Sequence, residues 1–407
     1  MRLLVGDDVG QAKVIETIAG IDTTLPTSAR ATTTSFFPPS RTRPIQHALK
    51  VTYKDRDDLV AVFSKGGLIR IFDPSSSPTS ADIAFSHTLD VPSDTETLAL
   101  GVTGTKLYAA VATGHVLFLD LTSGSYQIAT LPGPISAFAA TESLSAVATG
   151  GENKEIEIFT PEADGAWSSV WKSRNVKPNH LKLEIPVHCS QLKFLPSVEG
   201  SYRLLASSHY GHIRVYDTAI SKRPVFTAQP SKTGIQKMII HPTAEISAAE
   251  EPLIAVKGME ADKASLAKDF RVIYTNTSGA FAIYSLMERR EVGIYKALEG
   301  AVNGIALDEE SDLVAGVGFG RYLAVFDAVS RTMKSRVYTK TVGCCVLVLD
   351  GTDPMIEQPD KEKEEDVWEN MQEVNSEDDS ERVIKVRVKR KKDDPREEGG
   401  KKLRVEE

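Results

Sequence analysis

The chain has 407 residues, 41% of them hydrophobic and 26% charged, with a formal net charge of -8, which supplies apolar material for a large core and excludes a chain too polar to fold. Three cysteines, Cys189, Cys344 and Cys345, offer neither a disulfide framework nor a pair at zinc spacing and point to a reducing compartment. Charges at Arg2, Asp7 and Asp8 come too early for a signal peptide, and no stretch reaches the roughly 18 apolar residues of a membrane span, so a soluble, intracellular protein is expected.

One pattern recurs from the start of the chain: an apolar strand, a turn containing glycine or another small polar residue, and a second, alternating strand. It is found at Leu3–Glu16, Leu59–Asp73, Leu107–Asp120, Leu144–Phe159, Leu204–Asp217, Val272–Ser285 and Leu313–Asp327, and reads most clearly in the fifth copy, LLASSHYGHIRVYD. Period-two alternation broken by turn residues is the signature of a half-buried hairpin. A lone hairpin cannot bury its apolar faces. Seven copies at roughly 40 to 70 residue spacing therefore predict a propeller, each blade a small sheet packed on its neighbours. Ahead of several copies a further strand is legible at Thr97–Gly101, Ile135–Ala139, Leu192–Leu195, Ile235–Ile240 and Val302–Leu307, placed to lie innermost in a four-stranded blade.

Four copies close on an apolar or aromatic residue followed by Asp, at Asp73, Asp120, Asp217 and Asp327, where a WD-repeat blade carries Trp-Asp. Recurrence once per unit marks these carboxylates as turn-fixing parts of the architecture rather than as a site.

Between the copies, Ile21–Pro44 is rich in Thr, Ser and Pro and reads as a long loop between blades, which Phe36 and Phe37 anchor; Pro74–Ser80 is a second polar insert. From Gly165 to Pro196 the repeat is interrupted by a segment with two of the three Trp and no clean alternation before Leu181. It is either a binding loop, with Lys and Arg for phosphate and a ring for base stacking, or an edge-covering connection whose Trp residues pack on a blade. Lys257–Asp269 is a charged surface insertion.

The first copy lacks an innermost strand of its own. The segment VGCCVLVLD from Val342 matches the innermost pattern, so 342–349 is expected beside the N-terminal strand, closing a propeller over residues 1–350 and covering its open edges. Residues 351–407 lose apolar alternation and are expected to form a disordered tail: 360–381 holds 2 basic and 11 acidic residues, 382–404 holds 11 basic and 4 acidic. Lys389, Arg390, Lys391 and Lys392 form a compact basic run, a candidate nuclear or nucleolar address.

Catalytic signals are missing. No P-loop, dinucleotide loop or G-x-S-x-G elbow occurs, His209 and His212 are separated by a hairpin turn rather than set on one helical face, and Asp308 and Asp312, possible channel residues, lack a partner for acid–base work. No catalytic residue, metal, cofactor or small-molecule substrate is expected.

Three stretches carry a resemblance. WKSRNVKPNHLKLEIPVHCSQLKFLP (Trp171–Pro196), HYGHIRVYDT with KRPVF (His209–Thr218 and Lys222–Phe226), and GRYLAVFD with RVYTK (Gly320–Asp327 and Arg336–Lys340) resemble the Nop-seven-associated WD-repeat proteins of large-subunit ribosome biogenesis. Together with the acidic-then-basic tail the resemblance spans the chain; Ser173, His188 and the pair Asn179-His180 depart from the family pattern. It implies an all-β, seven-bladed WD-repeat-like propeller in the nucleus and nucleolus, a monomer within a pre-ribosomal particle. It also implies docking on pre-ribosomal RNA and large-subunit assembly factors, and release by a hexameric AAA ATPase of the NVL type. The residues it singles out are Arg174, Asn175, Val176, Arg223, Pro224, Arg321, Tyr322 and Lys340. The arginines and Lys340 suit phosphates or acidic surfaces, while an Arg321–Tyr322 pair packed at a blade boundary is an equal structural reading. A generic interaction scaffold unrelated to ribosomes shares the propeller but gives no reason for the basic run.

Overall fold

Alternation in this sequence partitions side chains between two neighbours rather than between core and solvent. In Leu59-Val60-Ala61-Val62-Phe63, Val60 and Val62 pack with Leu4, Val14, Phe36 and Phe72, while Leu59, Ala61 and Phe63 pack with Leu107, Ala109 and Val111. A strand feeding two cores reads as a continuous apolar run, and the same division recurs around the ring, giving one apolar core at each junction between blades.

A computed structural model describes residues 1–162, 165–178, 181–241, 253–254 and 260–353. The tail from residue 354 onward, with Lys389, Arg390, Lys391 and Lys392, lies outside the described residues, as do Asn179 and His180. The described residues form seven four-stranded antiparallel sheets. The first blade takes β1 (Arg2–Asp7), β2 (Ala12–Glu16) and β3 (Thr32–Phe36) from the start of the chain. The second is β4 (Ile45–Tyr53), β5 (Arg56–Ser64), β6 (Leu68–Phe72) and β7 (Ile83–Thr88); the third is β8 (Thr97–Thr103), β9 (Lys106–Val111), β10 (His115–Asp120) and β11 (Tyr126–Thr130). The fourth is β12 (Ala137–Ala140), β13 (Val147–Gly151), β14 (Lys154–Pro161) and β15 (Trp167–Lys172); the fifth is β16 (Cys189–Leu195), β17 (Arg203–Ser208), β18 (Ile213–Asp217) and β19 (Phe226–Ala228). The sixth is β20 (Ile235–Ile240), β21 (Arg271–Asn276), β22 (Phe281–Ser285) and β23 (Arg290–Ile294); the seventh is β24 (Val302–Asp308), β25 (Leu313–Gly318), β26 (Tyr322–Asp327) and β27 (Met333–Tyr338). Finally β28 (Gly343–Asp350) pairs antiparallel with β1, Leu4 opposite Leu347 and Val5 opposite Val346.

This is the seven-bladed propeller expected from the repeat. Two local expectations are corrected. Residues 21–44 are not loop throughout, because Thr32–Phe36 is the outermost strand of the first blade: its β-branched threonines suit an extended edge, and Phe36 is fully buried against Phe72, ring centroids 5.2 Å apart. Likewise Trp167–Lys172 is the outermost strand of the fourth blade, paired with β14.

The strand-end aspartates fix turns. Asp73 Oδ1 accepts the Ser75 N–H (2.7 Å), Asp120 Oδ1 those of Thr122 and Ser123 (2.9 Å each), and Asp327 Oδ1 those of Val329 (3.2 Å) and Ser330 (2.7 Å). These bonds hold the Asp120 and Asp327 carboxyls below the ordinary carboxylate range. Asp217 adds a buried ion pair, Oδ2 lying 3.2 Å from Arg203 Nε. Asp308 accepts the Ser311 hydroxyl as part of its turn, and neither it nor Asp312 lines the central cavity.

Ring closure rests on a second buried pair. Lys13 Nζ lies 3.0 Å from Asp7 Oδ2 and donates to the Thr339 carbonyl at 3.0 Å, and the Thr341 hydroxyl donates to Asp7 Oδ2 at 2.9 Å. The first hairpin is thereby bonded to the connection that leads into the last strand.

Candidate functional site

The antiparallel order of the blades sorts their connections onto two faces. Turns between second and third strands, and the connections leading into each innermost strand, share one face, called the front; the other turns share the back.

Arg174, Asn175, Val176, Arg223 and Pro224 come together between the fourth and fifth blades. Past the end of β15, buried Ser173 keeps the chain on β14, its N–H donating to the Ile156 carbonyl (2.8 Å) and its hydroxyl to Glu155 (2.8 Å). The Arg174 N–H then crosses to the Lys222 carbonyl (2.7 Å). Asn175 is the knot: its Nδ2 donates to the Ile185 carbonyl (2.6 Å), its Oδ1 accepts from the Val176 N–H (2.8 Å) and from Arg214 (3.4 Å), and its carbonyl accepts from Arg223 Nε (3.2 Å). Pro224 is buried and Arg174 and Arg223 are exposed. Asn175 and Pro224 thus shape the segment, and Arg174 alone among the five turns toward solvent a charged group with no bonding partner among the described residues. Arg214, 6% exposed beneath Asn175, is an organiser that sequence reasoning passed over, because it sits inside a repeat strand.

The two Trp residues of this region pack on the blades. Trp167 stacks on Phe118, centroids 5.7 Å apart and planes at 17°, and Trp171 meets Tyr216 edge-on at 6.2 Å. Both are half-buried in this arrangement.

Arg321, Tyr322 and Lys340 gather at the seventh blade. The Arg321 carbonyl accepts both the N–H and the hydroxyl of Thr339, each at 2.8 Å, which clasps the β25–β26 turn to the connection carrying Lys340. Arg321 (φ 61°) and Lys340 (φ 69°) take left-handed backbone conformations, which cost non-glycine residues free energy and recur at functional positions. Both side chains are exposed and make no hydrogen bond or ion pair among the described residues. The cation over Tyr322 is Arg336, at 4.4 Å from the ring centroid, rather than Arg321. The two groups of candidates are separated by the sixth blade.

Innermost strands line a central cavity of about 1150 Å3, laced by bonds from one blade to the next. The Thr97 N–H donates to Gln46 Oε1 (2.9 Å), His47 Nε2 bonds the Thr97 carbonyl (3.2 Å), and Asn303 Nδ2 donates to the Gly343 carbonyl (3.2 Å). Burial pushes the Cys344 and Cys345 thiols up to about 12 and, with the nearby Lys237 charge, His47 down to about 3. Thiols and imidazole are therefore neutral at physiological pH, and the thiols are poor nucleophiles. Among the described residues no three His, Cys, Asp or Glu side chains gather as metal ligands do. Gly-Phe-Gly at 318–320 is a signal that sequence reasoning overlooked: it sets an apolar ring at a turn tip, and Phe319 is 63% exposed.

No family model matches the chain. It is 21% identical to the ribosome biogenesis protein NSA1 of Yarrowia lipolytica, over 93% of this chain and 96% of that protein. It is also 21% identical to the ribosome biogenesis protein nsa1 of Schizosaccharomyces pombe, over 95% of this chain and the whole of that protein. The WD repeat-containing protein 74 of Homo sapiens is 28% identical over 54% of this chain and 49% of its own length.

Proposed function

We propose that this chain, a homologue of the WD-repeat ribosome biogenesis proteins along most of its length, is a ribosome biogenesis factor that works as a scaffold rather than as an enzyme. The observation that carries the reading is the alignment with two proteins of that name, over 93% and 95% of this chain and 96% and 100% of theirs. In this reading the chain docks on large-subunit pre-ribosomal RNA and on assembly factors in the nucleolus, as one copy per particle, and a hexameric AAA ATPase of the NVL type releases it. Exposed Arg174, Arg321 and Lys340 suit contact with phosphate or with an acidic partner surface, and the basic run at Lys389, Arg390, Lys391 and Lys392 suits targeting.

Affinity purification of the tagged full chain, beside a chain ending at residue 353, tests it. Enrichment of large-subunit precursor RNA with assembly factors is expected for the full chain, and the shortened chain separates targeting from docking. An ATPase variant that binds but cannot hydrolyse ATP is expected to hold the chain on its particles. Absence of both precursor RNA and assembly factors from the full-chain sample would sink the ribosomal reading.

A further inference from the structure

The front face is not uniform. From the fifth blade to the junction of the seventh with the first, its turns present two exposed rings, Tyr210 (39% exposed) and Phe319 (63%). Four exposed cations are set among them: Lys232 and Lys296 in the connections into β20 and β24, Arg321 beside Phe319, and Lys340 in the connection into β28. None of the four charged groups has a hydrogen bond or ion pair among the described residues, although the chain as a whole is acidic. Isolated exposed apolar residues are ordinary, so neither ring alone indicates a ligand. The interleaving of rings with unspent cations, which outnumber the exposed carboxylates of Asp8 and Glu299 beside them, is what distinguishes this arc.

The arc is also continuous. Gln229 Nε2 donates to the Tyr210 carbonyl (3.3 Å), and the Thr233 hydroxyl reaches that of Ser278 (3.2 Å). The Thr277 N–H donates to the Gly234 carbonyl (3.0 Å), the Phe319 N–H to the Ala301 carbonyl (3.0 Å), and the Thr339 N–H to the Arg321 carbonyl (2.8 Å). Each turn is therefore fixed to the connection beside it, and rings and cations stand on a stiff backbone. Gly211 shows how close the fit is: at φ 75°, a Cβ there would lie 2.0 Å from the Ser231 carbonyl oxygen.

From this arrangement we propose that the arc is a track for single-stranded RNA, in which Tyr210 and Phe319 stack on bases while Lys232, Lys296, Arg321 and Lys340 hold phosphates. Aromatic platforms set in a cationic groove are the general solution for unpaired nucleic acid, since every base has a face to stack and every linkage a charge to neutralise. A folded protein partner would instead call for a contiguous apolar patch rimmed by polar groups, and here the rings are separated by charges. The inference rests on the reading of the chain as a pre-ribosomal RNA-docking factor and adds to it the face, the residues and the single-stranded form of the ligand.

The test uses the full chain and a fluorescein-labelled oligouridylate of about 12 nucleotides, within the usual site size for such grooves, followed by anisotropy across a salt series. Phe319→Ala is expected to weaken binding roughly tenfold, Phe319→Trp to restore it, and Tyr210→Ala to weaken it comparably. Arg321→Ala with Lys340→Ala is expected to lower the slope of log affinity against log salt by about 1.4, roughly 0.7 for each phosphate of a single strand that is no longer neutralised. Lys54→Ala, on the back face, is expected to bind as the parent does. Because Phe319 and Tyr210 are exposed, unchanged melting temperatures will show that the variants are folded.

Failure of the parent chain to bind the oligonucleotide, or wild-type binding by Phe319→Ala and Tyr210→Ala, overturns the track. So does a variant that binds RNA normally but loses a protein from purified particles, which makes the surface a protein-docking site. If the parent chain enriches precursor particles while the variants bind RNA unchanged, the track falls and the biogenesis reading stands. If the variants lose RNA while the parent enriches no precursor, the reading falls and the track stands.

Discussion

Asp7 and Lys13 illustrate how a single pair of side chains can govern a ring. Asp7 is fully buried and Lys13 is 5% exposed, and breaking a buried pair by removing one partner strands the other charge at a cost of about 3–5 kcal/mol. Lys13→Met is expected to destabilise by about that amount in chemical denaturation, whereas Asp7→Asn with Lys13→Met, which removes both charges but keeps Oδ1 as acceptor for the Val9 and Gln11 N–H groups, should recover part of it; equal losses in both variants would show that the pair is not what holds the junction. His47 gives a second expectation. Its folded pKa of about 3 lies below the ordinary value of about 6.5, so the folded state binds fewer protons than the unfolded chain, and its stabilising effect is complete above pH 6.5 and lost progressively as pH falls toward 3. His47→Gln is expected to shrink the fall in stability between about pH 6.5 and pH 4 by about 2 kcal/mol or more, read from denaturant midpoints. At this scale legibility was uneven. An Arg–Tyr contact at the seventh blade was open to sequence reading, but its cation was assigned to the adjacent Arg321. Register decides otherwise: Arg336 stands opposite Ala324, on the same face as Tyr322 and diagonal to it.

At the scale of strands, the last one to be made carries the largest consequence. β28 covers β1 and contributes Val346 and Val348 to one interblade core and Cys345 to another, so a chain ending at residue 342 loses both the cover of an edge and three core side chains. Such a chain is expected to be insoluble or to show no cooperative melting, while one ending at residue 353 should melt within a few degrees of the full chain. Normal melting of the shorter chain would contradict this. The repeated hairpins were legible because second and third strands pack on both sides and are apolar at most positions, with exceptions such as Arg70 in β6, Glu155 and Glu157 in β14 and Arg214 in β18. Of the outermost strands, one flank of which meets solvent, only the one at Arg336–Lys340, within and just past β27, was legible; β11 (YQIAT) and β15 (WSSVWK) alternate too little to announce themselves. β4 was missed for another reason, its IQHALKVTY placing His47 and Lys50 in what is usually an apolar strand. Among the candidate site residues, motif matching picked out Arg174 and Lys340, whose side chains the structure leaves exposed. It gave no means of telling that Asn175 is spent on four hydrogen bonds, or that Phe319 stands free at a glycine-flanked tip.

For the ring as a whole, each blade owns no core of its own and shares one with each neighbour, so partial unfolding of any blade exposes apolar surface on two others. Fully burying one Val, Leu, Ile or Phe side chain is worth about 1.5–3 kcal/mol, and each junction holds several. One cooperative transition is therefore expected. In a chain ending at residue 353, which lacks Trp368, the remaining Trp167 and Trp171 both lie in the fourth blade and report it by fluorescence, while far-ultraviolet circular dichroism reports all blades; coincident denaturant curves are expected, and separated ones would show that blades unfold independently. The bonded junction of first hairpin and last connection also has a consequence in time. Asp7 and Thr341 stand 334 positions apart, and at a synthesis rate of about 5–20 residues per second the first hairpin waits roughly 20 to 70 seconds for the strand that covers it. During that interval β1 offers an unpaired edge to whatever chain passes near. A nascent propeller of this design is thus most exposed to mispairing while it is still being translated, and the cell's demand for chaperones on it should end when its last strand emerges.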